Sequence, residues 1–486
     1  MEFIETILEF YWLILIVLSL VISFLAFSHI VTTKRDVRAA IGWSGVVWLA
    51  PYFGTLFYLL FGVNRIERKA ARIRAGKAKT ASAGKRGKTS TALSSTLLKR
   101  PEIRSHIRLM DAINDFPLVP GNTLDFLLNG EQAFSAMLKA IAGAKKSVGL
   151  QTFIFDYDQA GKMFADTLEA AVKRGVEVRV LVDTVGALYY RPSIIKVLKK
   201  RGVPVARFNR SLSPWRMAYL NLRNHRKILI VDGKLAFTGG MNIRQGNFQH
   251  GDQKKVIKDL HFQLSGPITT QLAEVFVTDW AFATDEILDE KTWLPKIPVE
   301  RNQGNAYARG IADGPDEDAK KTRWAVFSAL GMAQKSVTIM TPYFLPDRVL
   351  VSALNHAALR GVRVDILLPE KNNLKYVQWA SKAQYGQVLE GGCNIYHSPP
   401  PFDHSKILIV DDRWLLLGST NWDPRSFRLN FEFNVEVFNP ALAGRLTRMV
   451  KKRIEKSEHI TLEKIKAMPR IKRAAYGWFW LFSPYL

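Results

Sequence analysis

Residues Asn224–Arg244 read NHRKILIVDGKLAFTGGMNIR, and residues Asp403–Asp423 repeat the pattern as DHSKILIVDDRWLLLGSTNWD. Both stretches contain His-x-Lys-x4-Asp-x6-Gly-(Gly/Ser)-x-Asn with identical spacing. A single His-x-Lys tripeptide is common by chance, whereas a pattern of this length that occurs twice in one chain is not. The repeat therefore predicts that the protein is built from two copies of one domain with the same chemistry.

The duplication extends well beyond this motif. Ala142–Phe155 (AGAKKSVGLQTFIF) resembles Gly331–Phe344 (GMAQKSVTIMTPYF), and Glu169–Val182 (EAAVKRGVEVRVLV) resembles Asn355–Leu368 (NHAALRGVRVDILL). In each copy, helical stretches alternate with apolar strands before the KILIV segment. This alternation predicts an α/β layer fold, with two domains packed about a pseudo-twofold axis.

The repeated segment has the pattern of a β-hairpin. The apolar run after Lys227, followed by Asp232 and Gly233, predicts a tight turn with these two residues as its loop. In that register His225 lies opposite Gly240, and the same count in the second copy places His404 opposite Ser419. Each hairpin mouth then collects an imidazole, an ammonium and a carboxamide: His225, Lys227 and Asn242 in the first copy, and His404, Lys406 and Asn421 in the second.

These residue types suit a tetrahedral phosphate. Lysine supplies a positive charge, asparagine supplies neutral donors, and histidine supplies a nucleophile or a proton carrier. Two copies are needed because a departing alkoxide must gain a proton and an incoming alcohol must lose one, so a second positioned acid and base is required. We therefore expect the two hairpin mouths to converge on one phosphorus atom, and neither half to work alone.

The remaining acidic residues of the motifs receive separate predictions. Asp232 and Asp411 belong to the catalytic motifs, but seven strand residues at about 3.3 Å each place them roughly 23 Å from the histidines, so we expect them to hold the turns. The histidines also need orienting carboxylates. Glu432, which follows His404 on the next expected strand, and Asp259, its counterpart in the first half, are the candidates.

Composition narrows the class of partner. The chain has 486 residues, 48% of them hydrophobic, and a net charge of +26. Such a basic protein should bind anionic partners, and nucleic acid and acidic membrane surfaces both qualify. A single cysteine, Cys393, excludes an internal disulfide and a cysteine-based zinc site.

The N-terminal region predicts a membrane anchor over residues 1–64. Residues 10–33 and 39–64 contain no Lys, Arg, Asp or Glu, and each run is long enough to span a bilayer. Pro51 should kink the second span. A cleaved signal peptide is the alternative for the first run, but its apolar stretch is too long and its start is acidic.

A basic linker is expected over residues 65–115. Between Arg65 and Arg100 there are twelve Lys or Arg residues and one acid, Glu67. The positive-inside rule then places this segment and everything after it in the cytoplasm, although the TKRD loop opposes this orientation. The segment has the composition of a solvated, disordered linker and can also bind anionic lipid.

The basic and aromatic tail over residues 461–486 ends in YGWFWLFSPYL. It has the pattern of an interfacial patch. The alternative is an element that simply packs on the core.

The chain resembles the phospholipase D superfamily, whose members carry two His-x-Lys-x4-Asp motifs. Within it, the resemblance to bacterial cardiolipin synthases covers nearly the whole chain, through WLAPYFGTLFYLLFG, FIFDYD, LVDTVGA, MTPYF, GSTNWDPRS, LNFEFN and the terminal LFSPYL. The resemblance implies two phospholipase D-like α-β-α sandwich domains, over residues 116–295 and 305–460. It also implies condensation of two phosphatidylglycerol molecules into cardiolipin and glycerol through a phosphatidyl-histidine intermediate, with no metal or other cofactor.

The same resemblance assigns roles within the site. His225 or His404 forms the phosphatidyl-enzyme, and the other serves as general acid and then base. The phosphoryl oxygens would be held by Lys227, Asn242, Lys406, Ser419 and Asn421. Gly240 departs from the family, which often has serine there, so a hydroxyl contact from the first half is in doubt.

Other functions stay open at this point. A related phosphodiesterase acting on nucleic acid is supported only by the charge, and regular stacking aromatics among the basic residues are not evident. Phosphatidylserine formation, or phosphatidylethanolamine as donor, is chemically closer. A membrane scaffold without activity is disfavoured because both motifs are intact. The expected partners are anionic phospholipid and membrane, without nucleic acid, and the oligomeric state is not predicted.

Overall fold

The computed structural model describes residues 2–34, 36–63, 99–208, 222–249, 256–295, 297, 304–314 and 320–483. Contacts divide the chain into two compact units, Met1–Arg74 and Ala75–Leu486. The basic part of the predicted linker, residues 65–98, lies outside the described residues.

The first unit is a set of apolar helices. Its elements are α1 (Glu2–Thr33), α2 (Val37–Leu49), α3 (Pro51–Phe57) and a π-helical turn (Tyr58–Gly62). The break at Ala50 confirms the kink expected from Pro51: Ala50 has φ −138° and ψ 74°, because a residue before proline is excluded from the α region. Helix α1 contacts the later helices through hydrogen bonds from Ser23 to the Val47 carbonyl (3.2 Å) and from Tyr52 to the Leu15 carbonyl (2.6 Å).

Only one described helix is long and apolar enough to cross a membrane by itself. This segment is Phe10–Thr33, with 24 residues, whereas the apolar helix Val37–Leu49 is shorter. The second predicted span does not form one continuous crossing. It breaks at Pro51 and folds back on itself, because the Lys34 ammonium donates to the Gly62 carbonyl and the Trp43 ring lies 5.5 Å from the Tyr58 ring.

The second unit contains two similar halves. The first half has strands β2 (Thr123–Leu128), β3 (Ser147–Thr152), β4 (Glu177–Asp183), β5 (Val205–Phe208), β6 (Ile228–Val231), β7 (Leu235–Gly239), β8 (Ile257–Lys258) and β9 (Leu260–Ser265). Its helices are α5 (Asn129–Gly143), α6 (Gln159–Lys173), α7 (Ile194–Lys200), α8 (Ile268–Thr284) and α9 (Glu290–Trp293). Short 3₁₀ turns lie at Gly186–Leu188 and Gln245–Asn247. Seven of the strands form a mixed sheet in the order β2-β9-β7-β6-β3-β4-β5.

The second half repeats this order. Its strands are β10 (Gly304–Asp313), β11 (Ser336–Met340), β12 (Arg363–Pro369), β13 (Asn394–Ser398), β14 (Phe402–Asp403), β15 (Ile407–Val410), β16 (Trp414–Gly418), β17 (Glu432–Phe438) and β18 (Glu458–Ile460). Its helices are α10 (Lys321–Met332), α11 (Arg348–Leu359), α12 (Lys375–Glu390), α13 (Pro424–Arg428), α14 (Pro440–Ile454), α15 (Leu462–Lys466) and α16 (Arg470–Leu481). The sheet order β10-β17-β16-β15-β11-β12-β13 matches the first half strand for strand, with β18 added at one edge and β1 (Val119–Gly121) at the other. The duplicated α/β fold predicted from the repeats is confirmed.

The two halves share a hydrophobic core. Ile228 and Phe262 of the first half belong to the same buried cluster as Ile407 and Phe433 of the second. Strands buried on both faces need apolar residues at every position, which explains the unbroken ILIV of both β6 and β15. This common core places the two hairpins against each other.

The hairpin register differs from the predicted one by one residue. Val231 pairs with Leu235 and Val410 with Trp414, so each loop has three residues rather than two. Asp232 (φ 52°) and Gly233 (φ 65°) both adopt left-handed conformations in the first loop. The expected positions of His225 opposite Gly240 and His404 opposite Ser419 are therefore wrong by one residue, because the third loop residue shifts the ladder.

The second part of the predicted linker is not a linker. Residues 101–113 form helix α4 (Pro101–Ile113), which packs on the second half. His106 binds Glu436 at 2.7 Å, Asp111 binds Arg309 at 2.7 Å, and β1 then pairs with β10. Helix α4 and strand β1 both lie against the second half, although the chain next enters the first sheet. The expected boundary at residue 115 falls between these two elements.

Candidate active site

Each motif histidine is oriented by a carboxylate from the opposite half. His225 donates from Nδ1 to Glu432 at 2.9 Å, and His404 donates from Nδ1 to Asp259 at 2.9 Å. The two carboxylates expected to orient the histidines do so, with the partners exchanged between the halves. A histidine that donates from Nδ1 presents the lone pair of Nε2 to a substrate.

Backbone contacts explain the exchange. The chain before each histidine leaves its own sheet and pairs in parallel with the other half: Asn224 bridges Phe431, and β14 pairs with β8. The amide of His225 donates to the Phe431 carbonyl at 2.8 Å, and that of His404 to the Lys258 carbonyl at 2.7 Å. Each histidine is thereby fixed beside the residue that precedes the opposite carboxylate.

The two motif lysines lie buried in the same site. Lys227 and Lys406 are 2% and 4% exposed, and each ammonium donates to the carbonyl of the histidine two residues earlier, at 2.7 and 2.6 Å. Burial lowers the pKa of Lys227 to about 7 and that of Lys406 to about 8, although Glu432 and Asp259, respectively, oppose the shift. A bound phosphodiester anion would favour the charged form of both.

The histidines are held neutral at neutral pH. Burial, reinforced by Lys227 and Lys406, lowers the pKa of both His225 and His404. Burial also raises the pKa of Asp259 to about 8 and that of Glu432 to about 7, against the attraction of the nearby lysines. Neutral imidazoles are the form that can attack phosphorus or accept a proton.

The residues expected to bind phosphate differ in the hydrogen bonds that their side chains make. Asn242 accepts a hydrogen bond from the Ile154 amide through Oδ1 at 3.1 Å, and Asn421 donates to the Ser426 hydroxyl at 3.3 Å, so both amides are fixed. Ser419 donates its hydroxyl to Glu432 and accepts from the Phe433 amide at 3.0 Å. This serine therefore supports the carboxylate that orients His225, in contrast to the expected contact with a phosphoryl oxygen.

The site is asymmetric at the position equivalent to Ser419. Gly240 occupies it in the first half, and a Cβ atom there would lie 2.6 Å from Asp259 Oδ1 and 3.1 Å from the His404 carbonyl oxygen. Asp259 instead accepts from the Leu260 amide at 2.8 Å. Glycine thus gives Asp259 the space to reach His404.

Asp232 and Asp411 lie in the turns, at the far ends of their strands from the histidines. Asp232 accepts hydrogen bonds from the backbone amides of residues 145–147, and Asp411 accepts from those of residues 334–336, at 2.7–3.1 Å. The expectation that they hold the turns agrees with these contacts. They belong to the catalytic motifs by sequence and have a structural role.

One functional residue was missed because it carries no repeated signal. Arg226 lies between the histidine and lysine of the first motif, where the second has Ser405. Its guanidinium binds Asp279 at 2.7 Å and donates to the Glu432 carbonyl (3.0 Å) and to the Asp313 carbonyl (2.8 Å). Arg226 thus ties the first half to the strand that supplies the carboxylate for His225.

Two aromatic residues beside the histidines were also missed. The Phe153 ring lies 5.3 Å from the His225 ring, and the Tyr343 ring lies 6.3 Å from the His404 ring. Both follow the strand adjacent to a motif strand, at the ends of the repeated segments that read QTFIF and MTPYF. The two rings occupy neighbouring rather than equivalent positions of the repeat, since Phe153 aligns with Pro342, so the repeat itself did not indicate them.

Comparison with known proteins agrees with this architecture. A family model described as the phospholipase D-like domain of cardiolipin synthase matches residues 137–280 and 326–454. A second, described as phospholipase D-nuclease N-terminal, matches residues 21–62. Similarity in fold alone extends to the phosphatidylserine synthase of Haemophilus influenzae Rd KW20, with a TM-score of 0.60, 15% identity and coverage of 79% of this chain and 100% of that one.

Full-length relatives are also similar in sequence. Cardiolipin synthase 1 of Bacillus anthracis is 33% identical over 85% of this chain and 81% of its own length. Cardiolipin synthase A of Pseudomonas putida strain GB-1 is 30% identical over 94% of this chain and 95% of its own length. With both family domains matched and relatives that align over most of their length, the chain belongs to the cardiolipin synthase family of phospholipase D-like proteins.

Proposed function

We propose that this protein is a cardiolipin synthase, a phosphatidyltransferase that converts two molecules of phosphatidylglycerol into cardiolipin and glycerol. The observation that carries the proposal is the pair of motif histidines, each oriented by the opposite half and flanked by two buried lysines. Such a pair supplies the nucleophile and the acid–base group that exchange at a phosphodiester requires.

The first step transfers a phosphatidyl group to the protein. Nε2 of one histidine, His225 or His404, attacks the phosphorus of the donor lipid, a P–N bond forms, and the bond from phosphorus to the glycerol headgroup breaks. The other histidine takes up a proton at Nε2 when the bound phosphodiester anion favours its charged form, and it gives this proton to the departing glycerol oxygen. Lys227 and Lys406 would stabilise the negative charge that grows on the phosphoryl oxygens, and Asn242 and Asn421 would add neutral donors.

The second step reverses the roles. The histidine that gave up its proton now accepts one from a hydroxyl of the second phosphatidylglycerol. That oxygen attacks phosphorus, the P–N bond breaks, and cardiolipin forms with both histidines restored. One phosphodiester replaces another, so the reaction is close to thermoneutral and requires no nucleotide.

The proposed reaction requires that water be kept from the phosphatidyl-histidine, since hydrolysis would give phosphatidic acid. The burial of His225, Lys227 and Lys406, at 8%, 2% and 4% exposure, supports this requirement. A dry site also strengthens each electrostatic contact with the phosphate.

The proposed location is a bacterial inner membrane. Helix α1 would supply the membrane span, through the apolar segment Phe10–Thr33. The basic segment after residue 64 favours a cytoplasmic position for the catalytic halves. The net charge of +26 would concentrate anionic phospholipid near the site.

The test is product analysis on mixed lipids. The purified full chain is incubated with vesicles that contain phosphatidylglycerol, phosphatidylethanolamine and free serine, and products are identified by mass spectrometry. We expect cardiolipin and glycerol from wild type, none from His225→Ala or His404→Ala, and wild-type yield from His356→Ala, a control at an exposed histidine on α11.

Other products would overturn the assignment. Phosphatidylserine as the main product, or cardiolipin labelled only from phosphatidylethanolamine, would replace the proposed donor or acceptor. Cleavage of single-stranded nucleic acid without lipid turnover would make the protein a nuclease.

A further inference from the structure

The C-terminal helix α16 packs on the second half through a narrow face. Tyr476 is buried, and Phe479 packs against Trp379 of helix α12 with ring centroids 4.9 Å apart. Phe479 also packs against the buried cluster of Leu345, Val377 and Ala380. These contacts fix the helix and its orientation on the catalytic unit.

The opposite face of α16 is apolar and exposed. Ile471 is 87% exposed, Trp478 62%, Leu481 63% and Phe482 45%. Their spacing of i, i+7, i+10 and i+11 aligns them along one side of a helix, and Ala474 and Ala475 fill the same stripe. A helix on a soluble domain normally buries its apolar stripe, so this one is arranged to meet a second apolar phase.

The charges around this stripe are positive. Arg470, Lys472 and Arg473 occupy the first turn of α16, and Lys464 and Lys466 precede it on α15. Basic side chains are unfavourable at a helix N-terminus, where the helix dipole already presents positive charge. An anionic partner would offset this cost.

We propose that α16 is an interfacial docking helix, which inserts the stripe of Ile471, Trp478, Leu481 and Phe482 into an anionic phospholipid bilayer. Tryptophan at the stripe and basic residues at its border are the composition expected of a helix that lies in the headgroup region. The exposed aromatic rings of Tyr376 and Trp379 on α12 adjoin it and enlarge the apolar surface. An anionic phospholipid bilayer is the partner that matches both the apolar and the cationic groups of this helix.

The same helix is linked to the active site by a single layer of side chains. Tyr343 packs against the cluster that holds Phe479, and its ring lies 6.3 Å from His404. Docking of α16 would therefore bring this side of the catalytic unit to the membrane surface, where lipid headgroups are found. This docking contact determines which side of the catalytic unit faces the membrane, and it is separate from the proposed reaction.

The test uses a fluorescent probe in the full chain. Cys393 is buried, and burial raises the pKa of its thiol to about 12, so a cysteine introduced as Trp478→Cys reacts selectively with an environment-sensitive dye. The matched control is Ile287→Cys, which replaces an apolar residue of the first half that is 70% exposed. Both are made with His225→Ala, so that lipid is not consumed and the result is independent of turnover.

Labelled proteins are reconstituted in phosphatidylcholine vesicles with and without phosphatidylglycerol, and quenching by nitroxide-bearing lipid is measured. We expect quenching at position 478 several-fold above that at 287, and greater with phosphatidylglycerol present. Arg470→Gln with Lys472→Gln and Arg473→Gln should reduce it. The same change at three exposed lysines of α7, Lys196, Lys199 and Lys200, should not.

Equal quenching at positions 478 and 287 would overturn the proposal. So would disulfide-linked dimers through the cysteine at 478 without quenching by lipid, since the stripe would then be covered by a second copy of the chain. If the protein with His225 intact makes no cardiolipin, the proposed function is wrong. The docking proposal is then unaffected, because quenching measures only the contact of position 478 with lipid.

Discussion

Nδ1 of His225 lies 2.9 Å from the carboxylate of Glu432, although 207 residues separate them in sequence. His404 and Asp259 form the matching contact across 145 residues in the opposite direction. Each half therefore contributes one nucleophile or acid–base group and the support for the other. A half expressed alone would lack an oriented imidazole, which is a physical reason for both copies in one chain.

Loss of either orienting carboxylate should lower turnover strongly. Glu432→Gln and Asp259→Asn keep the shape but remove the charge that fixes the tautomer and stabilises the imidazolium, so we expect kcat to fall by about 10²–10⁴-fold. The measurement is cardiolipin formation from phosphatidylglycerol at saturation. Asp166→Asn, a surface carboxylate 65% exposed, is the control. A kcat within twofold of wild type in either buried variant would contradict the proposed role.

A side chain at Gly240 should impair the site, even the serine that stands at the equivalent position 419. Its Cβ would lie 2.6 Å from Asp259 Oδ1, so the carboxylate that holds His404 must move. For Gly240→Ser we expect a loss of kcat of about tenfold or more, in line with other misplaced supporting groups. Gly143→Ala, with no atom within 4 Å of the added carbon, serves as the control. Wild-type turnover by Gly240→Ser would show that Asp259 can relax without cost.

Activity should decline at alkaline pH because the lysines lose their charge. Burial lowers the pKa of Lys227 to about 7 and that of Lys406 to about 8, so their positive charge is lost as pH rises through this range. We expect kcat/KM for phosphatidylglycerol, which reports the free protein, to fall as pH rises from about 7. Bound substrate shifts both groups towards the charged form, so kcat should hold to higher pH than kcat/KM. A kcat/KM profile that stays flat to pH 10 would rule this out.

Arg226 should matter for folding as well as for turnover. Its guanidinium is 7% exposed and faces Asp279, which is 6% exposed, so Arg226→Ala leaves a buried carboxylate without its partner. Breaking such a pair costs about 3–5 kcal/mol, which chemical denaturation of the detergent-solubilised protein would detect. The double variant Arg226→Met with Asp279→Asn should recover part of that stability, because neither charge stays buried and the amide oxygen can still accept from Gln151 and Asn224. If turnover does not return with it, the contact of Arg226 with the Glu432 carbonyl is needed to position that strand.

The buried cluster that holds helix α4 should make the protein sensitive to acid. Burial alone would raise the pKa of Glu436, but Arg309 and His106 outweigh it and lower the pKa from 4.5 to about 2. A carboxylate with a lowered folded pKa contributes stability above the unfolded value, and this stability is lost as pH falls from 4.5 towards 2. We expect the thermal midpoint of wild type to drop over this window.

Two variants separate this cluster from the other carboxylates. Glu436→Gln should already be destabilised at pH 7, since Arg309 stays buried, and it should lose less on acidification than wild type. Glu390→Gln, at an exposed site on α12, should behave as wild type at both pH values. Equal acid sensitivity in wild type and Glu436→Gln would assign the loss to other groups.

The sequence by itself determined the duplication, the α/β fold and the identity of the histidines, lysines and carboxylates, because these are fixed by local patterns that occur twice. The kink at Pro51 also follows from one residue. The hairpin register could not be predicted in the same way. The third loop residue depends on the hydrogen bonds that Asp232 accepts from the amides of residues 145–147, which lie outside the hairpin.

Only the tertiary structure decided which carboxylate serves which histidine. Sequence proximity favours Glu432 for His404, but the chain before each histidine pairs with the opposite half, and so the partners are exchanged. The roles of Ser419 and Arg226 follow from the same packing, since a hydroxyl or a guanidinium binds whatever polar group the other half brings near. Local patterns specify strands and residue types, whereas contacts across an interface depend on how two surfaces fit.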